Sequence, residues 1–390
     1  MKTGTERLYY QDSHMREFEA RVVFCEWEEK KQCYGVELNR TAFFPEGGGQ
    51  HADVGMLGGV PVEDVKEKGE RVIHYLKQPL DVGALVEGKL DFAVRFSAMQ
   101  QHSGEHIVSG LVHRHFAYDN VGFHLGREIV TMDFNGPLTE DMVRQVEYEV
   151  NEAVAANIEI IVTLPTQEEL ATLDYRSKKE LEGQVRIVTI PGVDVCACCA
   201  PHVSRTGEIG LIKIVDAIRY KGGTRVTLAC GFRALQDYRV KESNVREISH
   251  LLSAKPDEVA GAVRRLQDET QRWKDKLMRM QSAYLERKLE EIPEEAGNVL
   301  LFEPEMDKNA ARKFVDAGKG KCAGICGIFL GDEENGYQYT LGSHNRDLKA
   351  LLTDFHHAFP GRGGGKPEMV QGTVQGRKDL AEEIRSWFEQ

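Results

Sequence analysis

The sequence lacks any uninterrupted apolar run of about 18 residues, the length that a membrane-spanning helix requires. Residues 1–20 are polar throughout and lack the apolar segment of a signal peptide. No stretch combines low complexity with a shortage of apolar residues, which excludes collagen-like and disordered classes. We therefore expect a globular, cytoplasmic protein without a membrane partner.

Positive charge is also in short supply. The chain of 390 residues carries 50 lysines and arginines against 62 aspartates and glutamates, a net charge of −12. This balance excludes nucleic-acid binding that is driven by bulk charge, although it leaves room for a local basic surface. The length is sufficient for roughly two to four domains, each with its own core.

Cysteine is too sparse for a disulfide scaffold, since a chain of this length has only eight. Three of them crowd together as Cys196, Cys198 and Cys199. In a reducing compartment, such crowding indicates metal binding or catalysis before it indicates disulfide bonds.

The pattern along the chain changes three times and predicts an α+β protein. Short alternating strands with glycine and proline corners predict a small N-terminal β-barrel. Helical spacing and mixed strands follow, then a charged helical region, then alternating strands and helices. The predicted domains are a barrel at 1–92, an α+β domain at 93–234, a helical coiled-coil arm at 235–295 and an α/β module at 296–390.

The predicted arm contains a heptad pattern. Its apolar positions are spaced alternately four and three residues apart, which is typical of coiled coils. They are Val259, Val263, Leu266, Thr270, Trp273, Leu277, Met280 and Tyr284. The pattern predicts either a hairpin arm within one chain or the seam of a homodimer, and a homodimer could also form through the C-terminal module.

Two pairs of residues predict a metal site. His102 and His106 are four residues apart, so a helix would present both imidazoles on one face. Cys198 and His202 show the same spacing in a loop about 90 residues later. Three imidazoles and one thiolate form a donor set well suited to tetrahedral Zn²⁺, in a catalytic or a purely structural role. Cys196 or Cys199 could replace Cys198 as the thiolate ligand.

A glycine-rich segment lies at residues 43–53. The three consecutive glycines at 47–49 allow positive φ angles and can present backbone amides to an anionic or carbonyl group. A tight barrel turn would need one or two glycines and would not explain the adjacent Gln50. We therefore predict a functional role for Gly48, Gly49 and Gln50.

A second glycine-rich segment, predicted as a loop, carries a cation at each end. It consists of Arg362, Gly363, Gly364, Gly365 and Lys366. Such a loop can meet a phosphate backbone, and it is equally compatible with a solvated loop that binds nothing. The segment does not contain the G-x-x-x-x-G-K-[ST] pattern of a nucleotide-binding P-loop.

Together these motifs resemble the editing domain of alanyl-tRNA synthetase. Residues 41–55 resemble its glycine-rich motif, and the segments at 102–106 and 198–210 resemble its two zinc motifs. The arm and residues 363–372 are similar to the synthetase's DHHA1-type C-terminal domain. The resemblance spans nearly the whole chain and is closest to the long form of the free-standing AlaX editing proteins. Because the barrel begins within about 20 residues of Met1, we expect no aminoacylation domain.

The resemblance implies a hydrolase that removes serine or glycine from mischarged tRNA(Ala). His102, His106, Cys198 and His202 would bind Zn²⁺. Gln50 and the amides of Gly48 and Gly49 would orient the ester and the attacking water, and Thr41 would contact the small polar side chain. The segment from Arg362 to Lys366 would bind tRNA.

The sequence departs from the family's pattern at one loop, and two alternative functions remain open. The family's Cys-Gly-Gly-Thr-His loop reads Cys-Cys-Ala-Pro-His here, which keeps the ligand spacing and alters the surroundings of the substrate. One alternative is a non-catalytic tRNA-binding protein with a structural zinc. The other is a zinc hydrolase of the H-x-x-E-H type with Glu105 as general base, although its downstream ligand would be a carboxylate.

Overall fold

A computed structural model describes residues 4–126, 129–177 and 185–390 of the chain. The chain divides into two compact units, Met1–Val245 and Arg246–Gln390, each with its own hydrophobic core. Both units contain helices and β-sheets, which confirms the predicted α+β class. Among the described residues, no helix combines the length and the apolar character needed to cross a membrane.

The N-terminal strands of the first unit close into a barrel with the order β2-β3-β7-β6-β5-β8. The strands of this region are β1 Glu6–Arg7, β2 Glu17–Glu28, β3 Cys33–Leu38, β4 Arg40–Thr41, β5 Gly55–Leu57, β6 Val60–Lys68, β7 Arg71–Leu76 and β8 Leu85–Leu90. Buried and exposed residues alternate along the first half of β2, as expected for a strand with one face in a core. Branched and aromatic side chains such as Val22, Val36, Phe43 and Leu57 fill the interior.

The rest of the first unit surrounds one long helix, α1 Phe92–Phe116. The carboxylate of Asp91 caps this helix by accepting hydrogen bonds from the N–H groups of Ala93 and Val94. The other elements are β9 Asn120–Leu125, β10 Val130–Phe134, α2 Glu140–Ala155, β11 Ile161–Thr163, α3 Gln167–Thr172, β12 Ile187–Ile190, β13 Asp194–Ala197, β14 Ile212–Tyr220 and β15 Gly223–Cys230. They form two antiparallel sheets, β14-β15-β10-β9 and β11-β12-β13.

Two long helices follow, α4 Gly231–Leu252 and α5 Val259–Glu290. Near its C-terminal end, α5 joins a core of the second unit, where Leu285 packs in one cluster with Phe314 and Ile328. Most of the heptad side chains of α5 are exposed.

The second unit ends in a five-stranded sheet with the order β16-β17-β18-β20-β19, in which only β16 and β17 are parallel. Its elements are β16 Val299–Glu303, α6 Lys308–Gly318, β17 Cys326–Asp332, β18 Gly336–Gly342, α7 Leu348–Ala358, β19 Gly361–Lys366, β20 Met369–Val374 and α8 Leu380–Glu389. Its core is rich in aromatic side chains, among them Phe329, Tyr339, Phe355 and Phe388.

The predicted glycine loop at 362–366 is a strand, so the loop assignment is wrong. This strand, β19, pairs with β20 along its whole length, with Gly363 opposite Gly372. A Cβ atom on either glycine would collide with the hydroxyl of Tyr339, which lies across both of them. The low strand propensity of glycine is therefore overridden by tertiary packing that only glycine permits.

Candidate metal centre and adjoining cavity

Helix α1 presents His102 and His106 on one face, as their spacing predicts. The centroids of the two rings are 5.6 Å apart, and each imidazole is only 2% exposed. The helix is buried on several sides from Ala98 to Val112, so even its polar residues have protein around them.

The loop after β13 brings Cys198 and His202 to the same place. The Sγ atom of Cys198 lies 3.4 Å from Nε2 of His102 and 3.3 Å from Nε2 of His202. One donor atom from each of His102, His106, Cys198 and His202 lies within 4.8 Å of the others. We refer to these four residues as the donor cluster.

Each imidazole of the donor cluster is held through its Nδ1 atom. Nδ1 of His102 lies 3.0 Å from Oε1 of Gln50, and Nδ1 of His106 lies 3.0 Å from Oδ2 of Asp194. Nδ1 of His202 lies 3.0 Å from Oγ of Ser103. These contacts leave all three Nε2 atoms for a metal ion, which is the arrangement expected of histidine ligands.

Asp194 is itself held in place by an arginine. The guanidinium of Arg176 donates to both carboxylate oxygens of Asp194, over 2.7 and 2.9 Å. The ion pair with Arg176 and the contact with His106 outweigh the effect of burial and lower the pKa of Asp194. The carboxylate therefore stays ionised and can keep the His106 ring oriented.

Among the neighbouring cysteines, Cys198 has the surroundings that favour a thiolate. Burial by itself raises the pKa of its thiol, but His102 and His202 outweigh burial and hold the pKa well below its usual value. Burial raises the pKa of Cys196, and it raises the pKa of Cys199 to about 11. Because metals bind the thiolate, the structure favours Cys198 over the two alternatives.

The histidines of the cluster differ in protonation. Burial lowers the pKa of His202 to about 3, so its imidazole is neutral. Burial acts in the same direction on His106, but hydrogen bonds with Asp194 and Cys198 outweigh it and raise the pKa well above its usual value. A divalent cation that binds here would therefore displace a proton from His106.

The donor cluster fits Zn²⁺. It offers three imidazole nitrogens and one thiolate, the donor types that zinc prefers, at mutual distances that one ion can span. The Nδ1 atom of every imidazole has a side-chain hydrogen-bond partner, as in zinc sites that bind metal tightly.

The glycine-rich segment forms a tight two-residue turn beside the donor cluster. Gly47 and Gln50 exchange backbone hydrogen bonds of 3.1 and 3.0 Å, and the intervening Gly48 and Gly49 have φ angles of 59° and 81°. Two consecutive positive φ angles define the hairpin turn that favours glycine at both positions. A Cβ atom on Gly49 would lie 2.8 Å from the ring of Phe123, so the turn also packs too closely for another residue.

Gln50 lies behind the donor cluster and is 1% exposed. Its Oε1 atom holds His102, whereas its Nε2 atom has no hydrogen-bond partner among the described residues. Gln50 therefore orients an imidazole of the donor cluster, and its role towards the substrate stays a prediction.

Thr41 is fully buried and its hydroxyl already has two hydrogen-bond partners. It donates to Nε2 of His74 over 2.8 Å and accepts from the N–H of Phe43 over 3.1 Å. Thr41 does not belong to the described residues that line the cavity beside the donor cluster. Its role in selecting the amino acid stays a prediction.

A large cavity of about 1830 Å³ lies within the first unit, between the barrel and the α1 region. His102, His106, Cys198, Gly48 and Gly49 contribute to its wall, which makes five of the eight residues predicted to be catalytic or to bind metal. Gln50, Thr41 and His202 are not among the described residues that line it. Further wall residues are Arg7, Tyr10, Phe123, Arg186 and Cys199. Cys199 stands where the family has glycine, and its Sγ atom would lie 3.4 Å from a Cβ atom on Gly48.

Glu105, the general base of the alternative H-x-x-E-H reading, lies beside the cluster and is 1% exposed. Its Oε1 atom accepts from Ser109 over 2.7 Å and from Asn120 over 2.6 Å. The downstream donors that the structure brings to both histidines are Cys198 and His202. A downstream carboxylate, that of Asp194, contacts Nδ1 of His106 and forms a second group of possible donors with His106 and Cys196.

Several positioning residues are not predicted by the motifs. Arg176 has no local sequence signal, and Asp194 lies outside both ligand pairs. Arg95 forms a buried ion pair with Asp53, whose carboxylate also accepts from the N–H of Phe44. This pair ties the start of α1 to the segment that carries the glycine turn. Of the residues that hold the imidazoles, only Ser103 is next to a predicted ligand in the sequence, and it holds His202 rather than its neighbour His102.

The predicted tRNA-binding residues lie in the second unit. Arg362, Gly363, Gly364, Gly365 and Lys366 form the exposed edge strand β19. Neither Arg362 nor Lys366 has an ion-pair or hydrogen-bond partner among the side chains whose contacts the structure describes. Arg362 and Gly363 also line a cavity of about 450 Å³, together with Lys308, Gln338, Thr340 and Gln371.

Comparison with known proteins identifies relatives of the whole chain. Residues 185–248, which include Cys198 and His202, match the family model of the threonyl and alanyl tRNA synthetase second additional domain. Alanyl-tRNA editing protein AlaX-L of Pyrococcus horikoshii is 28% identical over 400 residues, covering 96% of this chain and 96% of that protein. Alanyl-tRNA editing protein Aarsd1 of Danio rerio is 28% identical over 95% of this chain and 94% of that protein.

The relationship extends to a much longer protein. Alanine--tRNA ligase of Ignicoccus hospitalis is 33% identical over 279 residues, which cover 68% of this chain and 30% of the ligase. The predicted resemblance is confirmed: this chain is a relative of the alanyl-tRNA editing proteins over nearly its whole length.

Proposed function

We propose that the protein hydrolyses the ester bond of tRNA(Ala) that has been mischarged with serine or glycine. The observation that carries this proposal is a buried donor cluster in the same cavity wall as a glycine turn. The named activity of AlaX-L and Aarsd1, alanyl-tRNA editing, supports the choice of substrate. The cavity is large enough for the aminoacylated end of a tRNA, being larger than a pocket of about 300–1,000 Å³ for a small ligand.

The glycine turn supplies donors for the reacting ester. Gly48 and Gly49 lie in a loop, and among the described residues no backbone carbonyl accepts a hydrogen bond from either amide N–H group. Both glycines line the cavity. Two neighbouring amides fixed in a turn can stabilise the negative charge that develops on the carbonyl oxygen during ester hydrolysis. Because two backbone hydrogen bonds between Gly47 and Gln50 close the turn, these donors are held in place before the substrate arrives.

Gln50 links this turn to the donor cluster. Its Oε1 atom orients His102, and its Nε2 group is buried behind the cavity wall without a hydrogen-bond partner among the described residues. One amide side chain would thus fix the imidazole of His102 relative to the glycine turn.

His102, His106, Cys198 and His202 would hold Zn²⁺ in this site. When bound, the ion supplies positive charge that anchors the aminoacyl group or polarises a water molecule. The surrounding residues keep the imidazoles oriented through Gln50, Ser103 and Asp194.

The second unit would hold the tRNA body. The glycine strand, which we define as β19 Gly361–Lys366, is an exposed edge in which four of six residues are glycine, so a sugar–phosphate backbone can approach it closely. Arg362 and Lys366 place one cation near each end of this strand, and Lys308 adds a third beside Arg362 in the adjoining cavity. Phosphate contacts of this kind set position and affinity without reading sequence.

The proposal is tested by measuring the release of labelled amino acid from Ser-, Gly- and Ala-tRNA(Ala). We expect rapid loss of serine or glycine, no loss of alanine, and no reaction with His106→Ala. His113→Ala is a matched control, because His113 lies on the same helix but is exposed and pairs with Asp119 outside the site. A full zinc complement with no release from any of the three substrates would contradict the proposal and favour a non-catalytic tRNA-binding protein.

A further inference from the structure

Arg186 is a cation in the wall of the cavity that no described carboxylate neutralises. The described wall contains one other arginine, Arg7, and no lysine. The guanidinium of Arg7 forms an ion pair with Glu67 and also donates to the carbonyl of Gly69. Arg186 makes no ion pair with any residue that the structure describes, although it lines the same cavity. The two arginines therefore differ in whether their charge is already balanced.

The guanidinium of Arg186 is fixed by the loop that carries Cys198. Its Nη1 group donates to the carbonyl oxygens of Cys198 and Ala200 over 2.8 and 2.9 Å, and its central carbon lies 5.3 Å from the ring centroid of Tyr10. Its Nε group is buried without a hydrogen-bond partner among the described residues. The Nη2 group also has no described partner, so it is the donor that remains for a ligand in the cavity.

The charge of Arg186 lies in an environment that disfavours it. Burial lowers the pKa of Arg186, whereas the charge of Cys198 acts in the opposite direction. The guanidinium nevertheless stays protonated, because arginine does not lose its proton in proteins. Cys198 is a proposed zinc ligand, so its negative charge would be shared with a metal ion. An anionic ligand would therefore meet a largely desolvated cation, where a charge-assisted hydrogen bond is strong.

We propose that Arg186 binds the phosphodiester on the 5′ side of the terminal adenosine of an aminoacylated tRNA. This inference rests on the proposed function. The amino acid is attached as an ester and has no free carboxylate, so this phosphodiester is the negative charge nearest to the ester in the substrate. Arg186 would thus act as a positioning residue, which fixes the nucleotide so that its ester reaches the glycine turn.

The arrangement of the loop allows one nucleotide to reach both places. Arg186 contacts the carbonyl of Cys198, whose Sγ atom belongs to the donor cluster. The next residue, Cys199, contacts the glycine turn, since its Sγ atom would lie 3.4 Å from a Cβ atom on Gly48. In the terminal nucleotide, the ester and the 5′ phosphate are attached to the same ribose. Arg186, the donor cluster and the glycine turn are similarly linked through two consecutive residues.

The other charges of the wall favour Arg186 as the phosphate contact. Four glutamates line the described part of the cavity, and each would repel a phosphate placed beside it. They are Glu6, Glu37, Glu67 and Glu70. An approach towards Arg186 is therefore the one that the described wall charges favour for an anion.

The first test compares two probes that differ in a single charge. Cytidylyl-adenosine contains the phosphodiester, and its methylphosphonate analogue has nearly the same shape without the negative charge. In calorimetry with the full chain and one equivalent of Zn²⁺, we expect the wild type to bind the charged probe about 10- to 100-fold more tightly. We expect Arg186→Gln to bind both probes equally. Arg7→Gln is the matched control and should keep the preference, because Arg7 lines the same cavity but is paired with Glu67.

The second test separates a phosphate contact from a role in holding the loop. Arg186→Lys keeps the positive charge and should retain at least a threefold preference for the charged probe. A role confined to the carbonyls of Cys198 and Ala200 would change zinc content and leave the preference in Arg186→Gln intact. Both results are ratios between two probes on one protein, so a smaller fraction of folded chain does not imitate the expected loss.

Four outcomes would overturn the proposal. They are equal binding of both probes by the wild type, a preference that survives Arg186→Gln, a preference that Arg7→Gln loses to the same extent, and a loss in Arg186→Lys equal to that in Arg186→Gln. Inorganic phosphate that binds as tightly as cytidylyl-adenosine would indicate a site for free phosphate and would overturn the assignment to the nucleotide.

Failure of this inference can be distinguished from failure of the proposed function. If neither Ser-tRNA(Ala) nor Gly-tRNA(Ala) is hydrolysed, the proposed function fails, and the binding of the two probes still reports on Arg186. If the wild type hydrolyses them and Arg186→Gln keeps the same kcat/KM, the role of Arg186 alone is overturned. We expect Arg186→Gln to lower kcat/KM about 10- to 100-fold, in line with the loss of one charge-assisted contact.

Discussion

The donor cluster of the first unit and the glycine strand of the second differ in how firmly their chemistry is held. Every imidazole of the donor cluster is buried and fixed by a second side chain. The cations of the glycine strand are exposed, and Arg362 and Lys366 have no described partner that orients them. The side chains of the donor cluster therefore have fixed positions, whereas those of the glycine strand are accessible from solvent and free to adjust to a ligand.

This difference indicates how each region should respond to mutation. In the donor cluster, one substitution would remove a proposed zinc ligand and leave its neighbours buried without partners, so losses should be large and should involve metal binding. In the glycine strand, one substitution removes a screened surface charge, so losses should be small and should depend on salt.

The largest effect is expected from Cys198→Ser. A site with four protein ligands binds zinc with about 10–16 kcal/mol, so the loss of its thiolate should weaken binding by several hundred-fold or more. Deacylation should fall with zinc content, as measured by metal analysis and by competition with a chelator. Cys199→Ser, in which the neighbouring thiol does not belong to the cluster, should keep the metal. Equal zinc binding by Cys198→Ser and the wild type would contradict the proposal that Cys198 is a zinc ligand.

His74 is a buried histidine outside the donor cluster, and its substitution should produce the next largest effect, on how the free energy of unfolding depends on pH. Burial lowers its pKa to about 4, so the folded barrel keeps His74 neutral at pH values where the unfolded chain is protonated. The stability linked to His74 is therefore complete above pH 6.5 and decreases as the pH falls towards 4. The difference between the two pKa values corresponds to about 3 kcal/mol.

The measurement compares wild type with His74→Gln, which cannot titrate. Urea unfolding between pH 7 and pH 4 should be less dependent on pH in the variant. Trp27 lies on barrel strand β2, so the Trp273→Phe and Trp387→Phe background makes its fluorescence report on the barrel. Parallel pH profiles of the two proteins would show that His74 titrates normally in the fold.

Asp194→Asn tests the support of the donor cluster without removing a ligand. The amide can still contact His106, but it loses the negative charge that pairs with Arg176 and orients the ring. Outer partners of this kind are worth about 10–100-fold in metal affinity, so the effect should be smaller than that of Cys198→Ser. Asp133→Asn is the control, since Asp133 is also paired with an arginine, Arg225, but lies on β10 and does not belong to the donor cluster. A cobalt-substituted protein whose visible spectrum is unchanged by Asp194→Asn would contradict the positioning role.

Spacing along the sequence predicts the four members of the donor cluster, because a helix and a tight loop translate local spacing directly into proximity. Spacing cannot predict what holds them. Asp194 and Gln50 reach the cluster from β13 and from the glycine turn, so only the tertiary fold brings them to His106 and His102. Gln50 in particular is predicted to act on the substrate, and the structure adds that it orients a donor of the cluster.

Local pattern was least informative where tertiary packing decides the conformation. The consecutive glycines at 363–365 indicate a loop by propensity, yet pairing with β20 makes them a strand, and at Gly363 the hydroxyl of Tyr339 leaves no room for a side chain. The heptads of α5 predict a helix with an apolar row, but whether that row is covered depends on the rest of the chain. Thr41 shows the same limit, since its hydroxyl is already bound by His74.

The smallest effect is expected from Arg362→Ala combined with Lys366→Ala. Each exposed phosphate contact is worth about 0.5–1 kcal/mol, so affinity for tRNA should fall about 5- to 30-fold. The slope of log affinity against log salt should decrease by about 2, one for each lost contact, whereas zinc content should not change. Arg312→Ala with Lys313→Ala removes the same charge from exposed positions of α6 and should have less effect on both quantities. If the two double variants lose affinity equally, net charge alone accounts for binding; if only the first loses it, the glycine strand is the contact surface.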